Sequence, residues 1–224
     1  MEQVAATARR AVQRARFDRV AAGKPFVFAL CLLPLAWLAW DVAHGQLGPD
    51  PVAQLEHRSG DWALRMLLTT LAITPLRLLT KWNWLIRYRR MLGLFAFFHA
   101  SVHLALYLVV DLGGFWSQIL GEIVKKPYIT VGFAAWLLML PLALTSTRGM
   151  MRRLGSHWQR LHRLAYVAGA CGVLHYLWLV KSGNTIAVRE PLVYLAILVL
   201  LLASRLPGWL RRWRARSAAP QAPR

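Results

Sequence analysis

Acidic residues are scarce in this chain: 9 Asp and Glu stand against 28 Lys and Arg in 224 residues, a formal net charge of +19. Such an excess signals nucleic-acid binding only when the basic residues gather on a solvated domain with a recognisable motif. Here they fall in short clusters between apolar runs, which argues against nucleic acid and for membrane topology. Cysteine is nearly lacking too. Cys31 and Cys171 sit inside apolar runs without a neighbouring cysteine, so no CxxC redox or metal motif exists, and both read as small buried residues. No glycine-rich dinucleotide loop and no Walker-type phosphate loop occurs, so an NAD(P)H-binding domain is not expected. Any electrons the chain moves must then come from and go to separate molecules. The first 24 residues, with Arg9, Arg10, Arg14, Arg16, Arg19 and Lys24, lack the apolar core of a cleavable signal. They are expected to form either an amphipathic helix on an anionic leaflet or a flexible tail.

What the chain has is apolar length. Hydrophobic residues make up 57% and charged residues 17%, too apolar a balance for a soluble domain of this size. Six stretches stand out: Pro25–Ala43, Trp62–Leu79, Met91–Val110, Ile129–Leu144, Leu161–Val180 and Pro191–Leu206. A spanning helix needs about 20 apolar residues, with a range of about 17–25. The expected fold is an all-α integral membrane protein, a six-transmembrane-helix bundle over residues 25–207. It is flanked by a basic segment, 1–24, and a basic tail, 208–224. Pro34, Pro75 and Pro141 fall in or near helices one, two and four, where neighbouring helices can re-satisfy the freed carbonyls, so they predict kinks and not breaks.

Orientation follows from charge. The segment before Pro25 and the stretches Arg77–Arg90, Arg148–Arg163 and Arg205–Arg224 carry 22 of the 28 basic residues, all on one side of the bundle. Asp50, Glu56, Asp61, Asp111, Glu122 and Glu190 fall in or beside the loops of the other side. The positive-inside rule then places both termini in the cytoplasm. Trp82, Trp84, Trp116, Trp158, Trp178 and Trp209 lie near helix ends, as interfacial belts require.

Histidine placement carries the functional reading. His44, His57 and His157 fall in loops and read as solvated. His99, His103, His162 and His175 lie on helices three and five, and a ligating or ionisable group inside a bilayer is costly enough to imply function. Both helices run in the same direction from a basic anchor. From Arg90 to His103 is about 20 Å, and from Arg163 to His175 about 18 Å, at about 1.5 Å per residue. His103 and His175 should therefore face each other at one depth in the outer half of the membrane, which is what a bis-histidine haem requires. His99 lies on the same face as His103 one turn deeper, as a substitute ligand or, in preference, as a propionate contact or a packing residue. In one continuous ideal helix His162 points about 140° away from His175, so a second stacked haem would require a distortion. Around His162 cluster Arg87, Arg89, Arg90, Arg160 and Arg163, able to bind an anionic cofactor such as a flavin phosphate, or anionic lipid.

The segments RYRRMLGL (Arg87–Leu94) and SVHL (Ser101–Leu104) resemble the third helix of the MsrQ family. WQRLHRLAYVAGACGVLHYLWLVK (Trp158–Lys181) resembles its fifth. DPV…LEHRSGDWAL (Asp50–Leu64), TLAITPLR (Thr70–Arg77) and LTSTRGMMRRLG (Leu144–Gly155) extend the resemblance over nearly the whole chain apart from the tails. These are haem-binding membrane subunits of the ferric-reductase-like transmembrane superfamily. The resemblance implies b-type haem, and FMN, in a multi-pass protein of the bacterial cytoplasmic membrane. It also implies electron delivery to the periplasmic molybdoenzyme MsrP, which reduces methionine sulfoxide in oxidised proteins. The implied donor is the quinone pool or a cytoplasmic flavin reductase. By position, the family's haem histidines fall on His103, His162 and His175, with iron ligation expected at His103 and His175; His99 is outside the pattern.

The chain is thus expected to be an electron-transfer subunit and not a complete enzyme, with a partner docking on Asp111–Lys126 and Lys181–Glu190. Two other classes compete. A stand-alone ferric-chelate reductase usually carries a fused flavin–NADPH domain, and a cofactor-free scaffold or transporter would purify colourless.

Overall fold

The computed structural model describes residues 2–182 and 189–206. The basic tail 208–224, with Trp209, and part of the Lys181–Glu190 loop lie outside the described residues, as do the side chains of 1–19, of 182, and of 116–120 within the expected docking stretch Asp111–Lys126. Every regular element described is helical. Helix α1 runs Glu2–Ala43, α2 Pro51–Thr80, α3 Arg89–Leu106, α4 Trp116–Lys125 and α5 Pro127–Leu144. Two short helices follow, α6 Arg148–Leu154 and α7 Ser156–Leu161, then α8 Leu164–Ser182 and α9 Arg189–Ala203.

Five segments among the described residues are long and apolar enough to cross a membrane: Val20–Ala43, Pro51–Thr80, Arg89–Asp111, Pro127–Leu144 and Ser156–Lys181. They coincide with the first five apolar stretches of the sequence. The sixth stretch is helical too, but its described helix, α9, has 15 residues. The N-terminal segment is not a separate element. Its backbone joins the first span in one 42-residue helix that continues through Pro25 and Pro34.

The ends of the helices follow from local chemistry. Asp50 caps α2 by accepting from Ala53 N at 3.1 Å, with Pro51 at the first position, where no N–H is needed. Lys81, at φ 59°, turns the chain out of α2 in the left-handed region. Thr147 caps α6 by accepting from Met150 N at 3.2 Å.

Helix α2 is the hub, packed most extensively on α3 and also against α1, α8 and α9, while α5 pairs with α8. Between spanning helices apolar burial supplies little net drive, so close packing and hydrogen bonds must hold the bundle. Small residues stand where helices approach. Ala96 and Ala168 are fully buried, and a Cβ on Gly169 or Gly172 would lie 3.3 Å from Leu71 Cδ1 or 3.4 Å from Leu64 Cδ1. The Arg58–Asp41 ion pair ties the end of α1 to α2.

Pro75 removes the N–H that would pair with the Leu71 carbonyl inside α2. Arg205, just past α9, donates from Nη2 to that carbonyl while its guanidinium stands 4.6 Å from the Tyr166 ring centroid. This residue, counted in the sequence among the basic cytoplasmic cluster, is buried.

Candidate haem site

His103 lies near the end of α3, where the backbone widens into a π-helical turn over Tyr107–Asp111, closed by Leu112 N donating to Tyr107 O at 3.0 Å. Such widened turns recur at functional sites, because they rotate the following side chains. His175 lies on α8. The two imidazole centroids are 6.3 Å apart, with planes inclined at 65°. Both rings line one cavity of about 240 Å³ enclosed by α2, α3, α5 and α8. A water needs about 10–15 Å³, so this is space on the scale of an organic molecule.

The tautomer of each ring is fixed by its partner. His175 Nδ1 is 2.7 Å from the Tyr128 carbonyl, which can only accept, so Nδ1 holds the proton and Nε2 keeps its lone pair. Ser59 Oγ donates to the Glu56 carbonyl at 3.1 Å and therefore accepts from His103 Nδ1, also at 3.1 Å. His103 is thus the same tautomer, with Nε2 available. Metal-bound histidines are oriented in this way, by a hydrogen bond on the nitrogen away from the metal.

Two glycines make room for the rings. A Cβ on Gly60 of α2 would lie 3.1 Å from His103 Cε1, and one on Gly132 of α5 would lie 2.7 Å from His175 Nδ1. Gly132 is one turn after Tyr128, so its bare backbone is what lets the imidazole reach that carbonyl.

The walls are largely apolar, with Leu64, Leu67, Phe133, Trp136 and Met139 among them. Trp136 is locked by donating to Ser101 Oγ at 2.9 Å. Towards the end nearest Asp111 the lining turns polar. There Tyr107 Oη and Glu56 Oε1 are buried without a hydrogen-bond partner, and such orphaned atoms mark where the polar edge of an occupant would be received. At this mouth Lys126 pairs with Glu122 at 2.5 Å, a contact that holds its ammonium above the ordinary lysine range. Two neutral, pre-oriented imidazoles, space beside each and mainly apolar walls fit an iron porphyrin. The donor set also matches bis-histidine ligation.

The remaining histidines lie elsewhere. His99 is fully buried and donates from Nε2 to the Cys31 carbonyl of α1 at 2.9 Å; it packs α3 on α1 and does not line the cavity. His162 is not in the cavity either. It stacks on Trp158 at 3.8 Å, with Nδ1 3.0 Å from the Trp158 carbonyl and Nε2 3.5 Å from Ser146 Oγ. His44, His57 and His157 are exposed, but only His44 lies outside a helix: His57 belongs to α2, where it touches the cavity mouth, and His157 to α7.

The ideal-helix extrapolation from His162 to His175 does not hold. His162 and Arg163 form a turn between α7 and α8, with Arg163 N donating to Arg160 O and Tyr166 N to Arg163 O. The 140° separation assumed one helix, and the chain supplies the distortion. Near this turn Arg89 lies within electrostatic reach of both His162 and Arg205. Arg90 Nη1 approaches Met151 Sδ at 3.7 Å, and Arg87, Arg160 and Arg163 are exposed at the same end. The arginines thus gather at the end opposite the His103–His175 cavity. Among the described residues no group of three or more His, Cys, Asp or Glu side chains is placed to hold a metal ion.

Sequence reasoning missed Ser59, Gly60, Tyr128 and Gly132. Gly132, a glycine inside an apolar run, was the available signal; Gly60 stands in the polar stretch His57–Asp61 just before such a run.

Residues 59–173 match the family described as ferric reductase like transmembrane component. The chain is also similar to curated proteins named protein-methionine-sulfoxide reductase heme-binding subunit MsrQ. With that of Xanthomonas euvesicatoria pv. vesicatoria (strain 85-10) it shares 57% identity over 205 residues, 89% of each chain. With that of Xanthomonas oryzae pv. oryzae (strain MAFF 311018) it shares 56% over 211 residues, 90% of this chain and 94% of the relative. The relative from Rhodospirillum rubrum is 49% identical over 199 residues, 88% of this chain and 94% of its own.

Proposed function

The chain belongs to the MsrQ family of ferric-reductase-like transmembrane proteins, and from that premise we propose that it binds b-type haem through His103 and His175 and relays electrons across a membrane. The observation that carries this reading is the pair of imidazoles 6.3 Å apart in one cavity, each with Nδ1 tied and Nε2 left free. Haem bound there would supply one-electron chemistry. The protein's part is to fix both ligand tautomers, exclude water with apolar walls and set the depth of the site.

Several finer statements belong to the same proposal. α9 is the sixth spanning helix, both termini face the cytoplasm, and the membrane is the bacterial cytoplasmic membrane. The support is the charge asymmetry, since no acidic residue occurs between Asp61 and Asp111, between Glu122 and Glu190, or after Glu190. Electrons come from the quinone pool or a cytoplasmic flavin reductase and leave to the periplasmic molybdoenzyme MsrP, which repairs methionine sulfoxide in proteins. Arg87, Arg89, Arg90, Arg160 and Arg163 form an inner anion site for the phosphate of FMN, with anionic lipid as the competing occupant. For His162 the resemblance implies a haem role, and the turn that carries it frees it from the orientation of α8.

The test is spectroscopic. The detergent-purified protein should show reduced b-type bands at about one haem per chain. His103→Ala and His175→Ala should each abolish them; normal haem in both purified variants rules out the ligand assignment.

A further inference from the structure

The His103–His175 cavity has two chemically different ends. Towards Asp111 its lining includes Glu56, His57, Asp61, Tyr107 and Lys126. In the other direction, past the histidines, stand Leu64, Leu67, Ala135, Met139, Ala168 and Gly172, and the Trp136 N–H there is spent on Ser101. A b-type haem is divided in the same way. One edge carries two propionates, and the rest of its rim carries methyl and vinyl groups. A carboxylate buried without a donor is costly, so the apolar end is closed to the propionate edge.

Two groups at the polar end are fitted to receive it. Tyr107 stands one turn nearer Asp111 than His103, to whose carbonyl its own N–H donates. It opens the π-helical turn, and its Oη is buried without a hydrogen-bond partner among the described residues. Lys126 is the one Lys or Arg among the described residues that line the cavity. It joins α4 to α5 two residues before Tyr128, whose carbonyl holds His175. Its ammonium has three N–H groups and pairs with Glu122, so donors remain. The carboxyl groups at this end are unsuited to the role. Asp61 pairs with Arg65 at 3.6 Å, Asp111 is exposed, and Glu56 opposes a second anion, so polarity alone would not draw a propionate here. His99, open to this role in the sequence, packs on α1 instead.

We propose that Tyr107 and Lys126 hold the propionates of the haem and so fix which edge of the ring meets the Asp111 end. The inference rests on the bis-histidine reading of the cavity and adds to it an orientation. Two imidazoles grip an iron from opposite faces and leave the ring free to turn about the axis between them. Donors on one side alone stop that rotation. A phenol O–H and an ammonium both complement an anion, and charge-assisted contacts of this kind are stronger than neutral ones, the more so beside apolar walls.

The experiment uses the full-length protein, purified with its haem in detergent. Resonance Raman reads the propionate bending band, and transfer of haem to excess apomyoglobin reads how firmly the ring is held. Tyr107→Phe and Lys126→Met should each shift that band and speed haem loss about tenfold. The reduced visible bands should stay in place, because neither axial ligand is touched. Lys126→Arg, which keeps a cation, should restore slow loss. Glu122→Gln breaks the ion pair between α4 and Lys126 but leaves the ammonium, and should match the unsubstituted protein in both readouts. A band and a loss rate indifferent to Tyr107→Phe and Lys126→Met would overturn the assignment. Faster loss with an unmoved band would overturn it too, as would Glu122→Gln reproducing Lys126→Met, since Lys126 would then be only a tie between helices. Normal haem in both His103→Ala and His175→Ala would sink the ligand reading instead, and shifted bands in Tyr107→Phe and Lys126→Met would still uphold the propionate contacts. A protein that purifies without haem overturns both.

Discussion

A methyl group at position 132 would stand 2.7 Å from His175 Nδ1, whereas one at position 60 would stand 3.1 Å from His103 Cε1. The first distance is shorter than a Cβ contact tolerates, and His175 cannot retreat without losing the Tyr128 carbonyl that fixes its tautomer. The second is tight but lets the neighbour give by a few tenths of an ångström. Gly132→Ala should therefore lower haem per polypeptide severely, and Gly60→Ala only partly, as read from pyridine haemochrome assays on the purified variants. Equal retention in both would mean that the rings are not held where the structure places them. At this scale the sequence was half legible. His103 and His175 could be paired because each is counted along a helix from a basic anchor. Their partners could not, since Ser59 lies 44 residues before His103, Tyr128 lies 47 before His175, and Tyr128 acts through a carbonyl that any residue possesses.

Pro75 and Arg205 form a unit that neither helix shows alone. The proline leaves the Leu71 carbonyl without its intrahelical donor, and the guanidinium from beyond α9 supplies one. An orphaned buried carbonyl costs about 1–3 kcal/mol, but Arg205 itself has Nε and Nη1 buried without a hydrogen-bond acceptor, facing the Tyr166 ring, so its removal also brings relief. The net effect of Arg205→Leu is therefore a poor test, and the coupling is a better one. Arg205→Leu should cost more with Pro75 present than in a Pro75→Ala background, where an N–H again reaches Leu71 O. Thermal unfolding of the four proteins in detergent should give a coupling of about 1 kcal/mol; additive effects would show that the contact carries no stability. The prolines were legible as tolerated interruptions, but which donor would answer Pro75 was not, because Arg205 looked like one more residue of a basic cluster. The turn at His162 was hidden for a related reason. No glycine or proline marks it, and apolar periodicity continues across it.

Across the whole molecule, charge and hydropathy carried most of what could be read. The first five spans emerged from apolar length alone, and among the described residues Arg87, Arg89, Arg90, Arg160 and Arg163 gather at one end. The short α4 did not emerge, since Trp116–Lys125 is too short and too polar to register as a span and reads as loop. That helix sits at the end carrying Asp111, Glu122 and Lys126, the end the proposal assigns to the outside, whereas Arg152 of α6 sits at the arginine-rich end. The two ends give the orientation a direct test in intact cells. Lys125→Cys and Arg152→Cys place single exposed thiols at opposite ends, and the native thiols Cys31 and Cys171 lie within spanning helices, so the unsubstituted chain serves as the blank. A membrane-impermeant maleimide should label Lys125→Cys in intact spheroplasts and Arg152→Cys only after permeabilisation. The reverse pattern would invert the topology, turning the His103–His175 cavity toward the cytoplasm and the arginine cluster outward. An inner flavin site and an outer partner would then both be untenable, because each proposal depends on which water phase its end of the bundle meets.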